Sequence, residues 1–457
     1  MKRVKNRRQA LLIILVWLPF FGSAQNLASG SDSLKSTKHE FSVRQAVDYA
    51  KNNNVQVKNA MLNVLVQEQT NRELTAAALP QISGSGSMTY NAKLPVSLVP
   101  AEFFGGQPGT FEKVAFGLRY NATVGVQLDQ LLFDGQVFVG LQARETVLKF
   151  QEKNLEVTEE LIKTNIYKIY YQLVASKRQT ELLDANIERF EKLLRETRII
   201  YENGFAEKLD VDKVNVALTN LQTEKIKTLN QIENGYLGLK LLMGMPVQEE
   251  LVLTDTLDYN QVRDGILETG IFAYTDRKEY QYADLGVRLN EYNVRRYKLS
   301  KYPTLSLNSY YNKNAQRTEF DFFGHGPWFD IAAITVNLNI PIFTGFAANS
   351  RIQKARLELQ QGINERENLK ISIDHDIQVA KNNFRSAIST LDFQKRNMDL
   401  AENVFHQTEK KYSAGTGSQT EINTAQTELK TAQTNYITAL YEAVIAKVDF
   451  LKATGRL

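Results

Sequence analysis

Residues 118–129, Leu-Arg-Tyr-Asn-Ala-Thr-Val-Gly-Val-Gln-Leu-Asp, alternate without a break. Leu118, Tyr120, Ala122, Val124, Val126 and Leu128 fall on one side, and Arg119, Asn121, Thr123, Gly125, Gln127 and Asp129 on the other. Period two is the signature of a strand with one apolar and one polar face. Three further stretches share it. Ile82, Gly84, Gly86, Met88 and Tyr90 alternate with polar residues across 81–91. Leu305, Leu307 and Tyr311 alternate with Thr304, Ser306, Asn308 and Asn312. Ala332, Ile334, Val336, Leu338 and Ile340 alternate with Ala333, Thr335, Asn337 and Asn339. Strands of about ten residues with this pattern fit an outer-membrane barrel, one face to lipid and one to water. By pattern alone they fit equally well a soluble antiparallel sheet over a core.

The start of the chain selects between the two. Lys2 to Arg8 is basic, Ala10 to Phe21 is apolar, and Gly22-Ser23-Ala24 offers small residues to a signal peptidase. This reads as a secretory signal over 1–24, cleaved before Gln25. The apolar run is too short for about 30 Å of hydrocarbon, and no later stretch of 18 apolar residues follows. A membrane location therefore requires a β-barrel. Four strands cannot close one, because the smallest known barrels have eight. An open edge in lipid leaves backbone groups unpaired at several kcal/mol each. Three copies would supply twelve strands with cyclic symmetry.

The chain also repeats itself. Phe133-Asp134-Gly135 recurs as Phe343-Thr344-Gly345, offset by 210, and Tyr201-Glu202-Asn203-Gly204 as Tyr412-Ser413-Ala414-Gly415, offset by 211. Asp210-Val211 recurs as Glu421-Ile422, and Leu79-Pro80 as Tyr302-Pro303, the latter offset by 223. One gap of about a dozen residues, before the Phe-x-Gly motif, reconciles the offsets. Each copy reads helix, strand, loop, strand, very long helix, tight turn, long helix.

The long helices are predicted over Gln136–Tyr201 and Phe346–Tyr412, about 100 Å each at 1.5 Å per residue. Both carry a heptad stripe. In the second copy Ile377, Phe384, Leu391, Met398, Phe405 and Tyr412 are seven apart; Ile166, Leu173, Thr180, Ile187, Leu194 and Tyr201 hold the same places in the first. Such a stripe is a coiled-coil seam. Return helices are predicted over Asp210–Met243 and Glu421–Ala453, giving two antiparallel hairpins.

Leu-Pro at strand entry, Leu132-Phe133-Asp134-Gly135 and Pro341-Ile342-Phe343-Thr344-Gly345 at strand exit, then Gln353-Lys354-Ala355-Arg356, resemble the TolC-type outer-membrane efflux family. The turns Tyr201-x-x-Gly204-Phe205 to Asp210-Val211 and Tyr412-Ser413-x-Gly415-Thr416 to Glu421-Ile422 look like its two periplasmic tips. The resemblance runs from about Ser42 to Leu457. It implies an α+β fold: a TolC-like homotrimer in the outer membrane, with a twelve-stranded barrel, a long periplasmic α-helical barrel and a mixed belt between them. It also implies a passive exit duct for a tripartite efflux pump or type I secretion system, docked to a periplasmic adaptor and an inner-membrane pump. The domain order is then signal 1–24, flexible lead-in 25–41, first repeat 42–246, belt linker 247–276 and second repeat 277–457.

The resemblance further implies site residues. Gly204, Phe205, Ala206 and Glu207, with Gly415, Thr416, Gly417 and Ser418, match the turns that meet adaptor hairpins. Asp210, Tyr412, Glu421 and Thr424 match the periplasmic gate. The family's gate aspartates, early in the last long helix, correspond to Glu421 and Thr424, so only one carboxylate remains. Its locking arginine corresponds to Gly417, so the link to Asp210 is missing. Independently of any gate, Ser418-Gln419-Thr420-Glu421 fits a helix capping box.

Other functions find little support. The formal charge of +4 comes from the signal; the remainder holds 50 basic against 51 acidic residues, and nothing suggests nucleic acid. Cysteine is absent, which excludes disulfides, thiolate metal sites and a cysteine nucleophile. His39, His325, His375 and His406 are scattered. Asp374-His375-Asp376 is the one acid–histidine cluster, and adjacent helix residues diverge by about 100° rather than converge on a metal. No enzyme, cofactor or metal site is expected. The alternative is a periplasmic coiled-coil scaffold without a pore, which explains the helices but not the alternating strands.

Overall fold

The computed structural model describes residues 38–263, 272–324 and 326–457. The signal over 1–24, most of the lead-in, residues 264–271 of the linker and His325 lie outside the described residues.

The four alternating segments form one antiparallel sheet. Its strands are β2 (Gln81–Tyr90), β5 (Tyr120–Phe133), β7 (Thr304–Arg317) and β8 (Phe329–Asn339), in the order β2-β5-β7-β8. Register keeps the two faces apart. Ile82, Leu128 and Ser309 line up on one face, with Gly84, Val126 and Tyr311 next to them. Ser83, Gln127 and Tyr310 occupy the other, where Asn308 donates to Asp129 (2.6 Å) and Gln127 donates to the same carboxylate (2.9 Å). Most of the apolar face is open, with Ile334 77% exposed; at the end remote from the helices Phe322 covers Ala122 and Ala315. β2 and β8 are edges without a partner strand in the described chain.

Two shorter strand pairs go beyond the repeat pattern. β1 (Lys38–Phe41) lies parallel to β6 (Glu250–Leu253), so the last four residues of the expected flexible lead-in are a strand. Phe41 explains the difference. Its ring packs against Tyr49, and its carbonyl accepts from the Tyr170 hydroxyl at 2.8 Å. β3 (Val96–Pro100) and β4 (Phe111–Ala115) form a hairpin inside the loop between β2 and β5.

The helices follow the repeat. α1 (Val43–Asn53) and α2 (Val55–Ala76) precede the first strand pair, and α6 (Lys278–Leu299) precedes the second. After each pair comes a very long helix, α3 (Gly135–Glu202, 68 residues) and α7 (Ala347–Ser413, 67 residues). These return as α4 (Lys208–Met243) and α8 (Gln419–Ala453). A single turn, α5 (Tyr259–Arg263), lies in the linker. The predicted bounds hold to within a residue or two, because the same local signals end the helices. Asp134 caps α3 by accepting from the Gln136 N–H (2.7 Å), and glycines follow both C-termini at the tips. Among the described residues no helix is long and apolar enough to cross a membrane.

The heptad stripes are inside except at the first tip. Ile166, Leu173, Phe384, Leu391 and Phe405 are buried, and Thr180, Ile187, Leu194, Ile377, Met398 and Tyr412 are half-buried, whereas Tyr201, which ends the first stripe, is exposed. Two cores fix the layout. Near the middle of α3, Ala46 and Ala50 of α1 pack with Ile166, Tyr170, Leu239, Met243 and Leu251, which joins the β1–β6 pair to the first hairpin. Near the tips, Leu183, Phe190 and Leu193 of α3 share a core with Val214 and Leu218 of α4, Phe405 of α7, and Ile422 and Leu429 of α8. Both hairpins thus belong to one packed unit at that end. Each fully buried side chain of this size contributes about 1.5–3 kcal/mol.

Candidate functional site

The two helical turns carry all twelve residues that sequence reasoning singles out, and their backbones match. In the first, the Gly204 N–H donates to the Tyr201 carbonyl (2.9 Å) and the Phe205 N–H to Ile200 (3.0 Å). In the second, Gly415 donates to Tyr412 (3.0 Å) and Thr416 to Lys411 (3.0 Å). Both are Schellman C-caps, with glycine in the left-handed region at φ 82° and 73°. Space around both glycines is open, since a Cβ at either would meet nothing within 4 Å; glycine is needed there for its φ alone.

The following helices also start alike. Glu207 and Ser418 both adopt φ −88°, ψ 153° as N-caps. Three residues on, Asp210 accepts from the Glu207 N–H (3.4 Å) and Glu421 from the Ser418 N–H (3.3 Å). The Ser418 hydroxyl closes its box by accepting from the Glu421 N–H (3.2 Å). The two candidate gate carboxylates therefore hold equivalent positions, and each satisfies a helix end that would otherwise be unpaired.

Their surroundings differ. Asp210 also faces Lys213 (3.7 Å). Lys213 shares a polar groove with Thr420, Asn423, Thr424, Thr427 and Glu428, so α4 and α8 meet there. Thr424 is exposed and donates back to the Thr420 carbonyl (2.9 Å). The Tyr412 hydroxyl is turned elsewhere. It donates to Gln419 Oε1, which also accepts from the Thr197 hydroxyl (3.3 Å). Thr197 belongs to α3 and is fully buried. The structure thus joins Tyr412 to Gln419 and Thr197, and the hydrogen bonds of Asp210 and Tyr412 share no partner.

Gly417 lies tight against its own turn, where a Cβ would meet Tyr412 N at 3.0 Å and Lys411 Cβ at 3.2 Å. Ala206 holds the matching place in the first turn. Phe205, at the matching place to Thr416, is 86% exposed.

Sequence reasoning misses Thr197 and Gln419, although a signal is present. Leu183, Phe190 and Thr197 are seven apart and all buried, so Thr197 is a polar break in an apolar stripe. Elsewhere, Asp374 accepts from the Tyr274 hydroxyl (2.9 Å), and His375 and Asp376 lie exposed beside each other. Among the described residues no three His, Asp or Glu side chains are grouped to hold a metal ion.

Comparison with known proteins agrees with this plan. The family described as "Outer membrane efflux protein" matches residues 46–245 and 275–456. The outer membrane protein TolC of Vibrio cholerae is 20% identical over 340 residues, 73% of this chain and 77% of that protein. The outer membrane efflux protein BepC of Brucella suis is 23% identical over 414 residues, 89% of this chain and 83% of that protein. A solved structure of CusC superposes with a TM-score of 0.76 at 16% identity, covering 90% of this chain and 91% of that one; it has the same fold.

Proposed function

This chain belongs to the outer membrane efflux protein family, and from that membership we propose that three copies close a twelve-stranded barrel and form the exit duct of a tripartite efflux pump or secretion system. The protein resides in the outer membrane. One observation carries the trimer: the four-stranded sheet has an apolar face, a polar face and two unpaired edges, β2 and β8. A sheet with these properties is stable in lipid only when its edges meet those of other copies. Placing the polar face inward gives a water-filled bore. The helical hairpins then prolong the bore into the periplasm.

At the far end, the two tips divide the work. The first turn, with exposed Phe205, is the better contact for an adaptor, with Gly204, Ala206 and Glu207 around it. The second turn, Gly415 to Ser418, completes the docking surface. Asp210, Tyr412, Glu421 and Thr424 surround the periplasmic opening. Three Glu421 carboxylates around one axis would favour cations, while Lys213 beside Asp210 offsets part of that field. With Glu421 the one carboxylate of the Glu421/Thr424 pair and Gly417 in place of an arginine that would reach Asp210, the gate is loosely held, and the Thr197–Gln419–Tyr412 cluster supplies the restraint.

The scaffold reading gives a simple contrast. A channel of this kind extracts from membranes only with detergent, is heat-modifiable on gels, and conducts ions in planar bilayers. Release of the mature protein into plain buffer, without conductance, would refute the proposal.

A further inference from the structure

The two repeats differ sharply in charge where the sheet meets the helices. Residues 292–302 and 344–357, the end of α6 with the start of α7, hold Arg295, Arg296, Lys298, Lys301, Arg351, Lys354 and Arg356 and no acid. The matching residues of the first repeat, 69–79 and 134–147, hold Arg72 and Arg144 against Glu73, Asp134 and Glu145. All seven basic side chains of the second repeat are exposed. Lys354 faces Glu358 (3.7 Å), and Arg296 lies over the Tyr297 ring (5.0 Å). The side chains of Arg295, Lys298, Arg351 and Arg356 make no ion pair or hydrogen bond among the described residues.

Packing gathers these charges. Lys301 donates to Asn349 Oδ1 (2.5 Å), and Asn290 to the Glu358 carbonyl (3.4 Å). α6 and α7 are therefore antiparallel, with 301 level with 349, and the seven cations fall within about 10 Å along the helix pair. At this level α3 sets Gly135 against Leu299 and brings only Asp134, which is engaged by the Gln136 N–H. Like charges this close repel one another unless an anion neutralises them. Beside them opens a pocket of about 220 Å³, lined by Lys301, Asn349, Ile342, Phe343 and Phe346. Ile342 and Phe343 are 94% and 76% exposed. Phe346, the one non-glycine residue with positive φ (65°) among the described residues, meets Phe343 edge-on (5.6 Å). A bulky side chain holds that backbone conformation at a cost.

The height of the sheet says what the pocket meets. β7 has 14 residues, which at the tilt of a barrel strand rise about 35 Å, more than an apolar band of about 25 Å. Thr304, where β7 begins, therefore lies at the edge of the hydrocarbon, and Lys301 just outside it. Aromatic rings at such a rim, with cations beside them, mark the headgroup layer, where Lys and Arg meet lipid phosphates. A ligand for this place joins an apolar part, for Ile342 and Phe343, to an anion for the cations. An anionic phospholipid of the leaflet facing the periplasm has both. After the signal the chain holds 50 basic against 51 acidic residues, so the attraction is local to this patch.

We propose that the end of α6 and the start of α7 form a binding site for an anionic phospholipid headgroup at the periplasmic rim of the barrel, with no counterpart in the first repeat. This rests on the trimeric barrel proposed above. The protein is purified in mild detergent and incubated with equal amounts of phosphatidylglycerol and phosphatidylethanolamine, and native mass spectrometry reads the lipids it retains. Wild-type protein should retain phosphatidylglycerol with a preference of roughly tenfold. Arg295→Gln/Lys298→Gln/Arg351→Gln/Arg356→Gln should lose the preference, and Arg295→Lys/Lys298→Arg/Arg351→Lys/Arg356→Lys should keep it. Equal retention of the two lipids by wild-type trimer, or an unchanged preference in the glutamine variant, overturns the inference and leaves the trimer standing. So does displacement of phosphatidylglycerol by an equal concentration of glycerol 3-phosphate, which would make this a site for a free anion. Failure of the glutamine variant to form trimers also overturns it, since the patch would then be a contact between copies. A wild-type monomer overturns both proposals.

Discussion

The tips at Gly204 and Gly415 share a backbone and little else. Each has a Schellman cap around a left-handed glycine, an N-cap at φ −88°, ψ 153°, and an N3 carboxylate bonded back to the cap. On that frame the first tip exposes Phe205, while the second folds Tyr412 and Gln419 onto Thr197. Backbone turn geometry is thus set by a few residues in both repeats, and the other positions are free to specialise. The first tip presents an apolar contact; the second is tied to the neighbouring hairpin.

Paired substitutions separate the two tips. Gln419→Ala removes the acceptor shared by Thr197 and Tyr412. Loss of a buried hydrogen bond of this kind costs about 1–3 kcal/mol. The second tip should then show faster amide exchange and the channel a higher bilayer conductance, whereas the matching change in the first tip, Lys208→Ala, should do neither. Equal effects would erase the proposed difference. Gly415→Val forces a β-branched residue into φ 73° and should cost about 1–2 kcal/mol. It should abolish export while the trimer still inserts, and Gly204→Val should cost the same stability. Normal export by Gly415→Val would place docking elsewhere.

A smaller and more specific effect is expected at Phe205. Its ring is solvated in the chain, so Phe205→Ser should leave melting unchanged. A buried aromatic anchor is worth about 1–3 kcal/mol or more at an interface, so affinity for the adaptor should fall by roughly tenfold, against little change for Thr416→Ser. Unaltered affinity would remove the first tip from the docking surface. Least is expected of Glu421→Gln. An N-terminal carboxylate stabilises a helix by about 0.3–1 kcal/mol, and a glutamine can still close the capping box. Cation preference and block by multivalent cations should weaken. If helix stability drops while selectivity is unchanged, Glu421 is a cap without a gate role.

The fold is legible in the sequence because its signals are local and repeated. Strict alternation over 118–129 specifies a strand and its faces. Long runs without proline, ended by Tyr-x-x-Gly, specify α3 and α7 nearly to the residue. The capping box at Ser418 is legible for the same reason. Strand β1 is hidden because four residues, Lys38–Phe41, are too short to show a period and follow a polar stretch. The β3–β4 hairpin shows only as a gap, since a loop carries no repeat to compare. Thr197 and Gln419 are illegible as a pair: they are 222 residues apart, and only the packing of α3 against α8 brings them together.

Everything proposed for the channel depends on one chain supplying a third of a barrel. The mass of the purified mature protein in mild detergent, by light scattering corrected for bound micelle, decides this. Three chains per particle are expected. A monodisperse monomer retaining its full β-sheet signal would contradict the trimer, because β2 and β8 would then be edges that lipid tolerates.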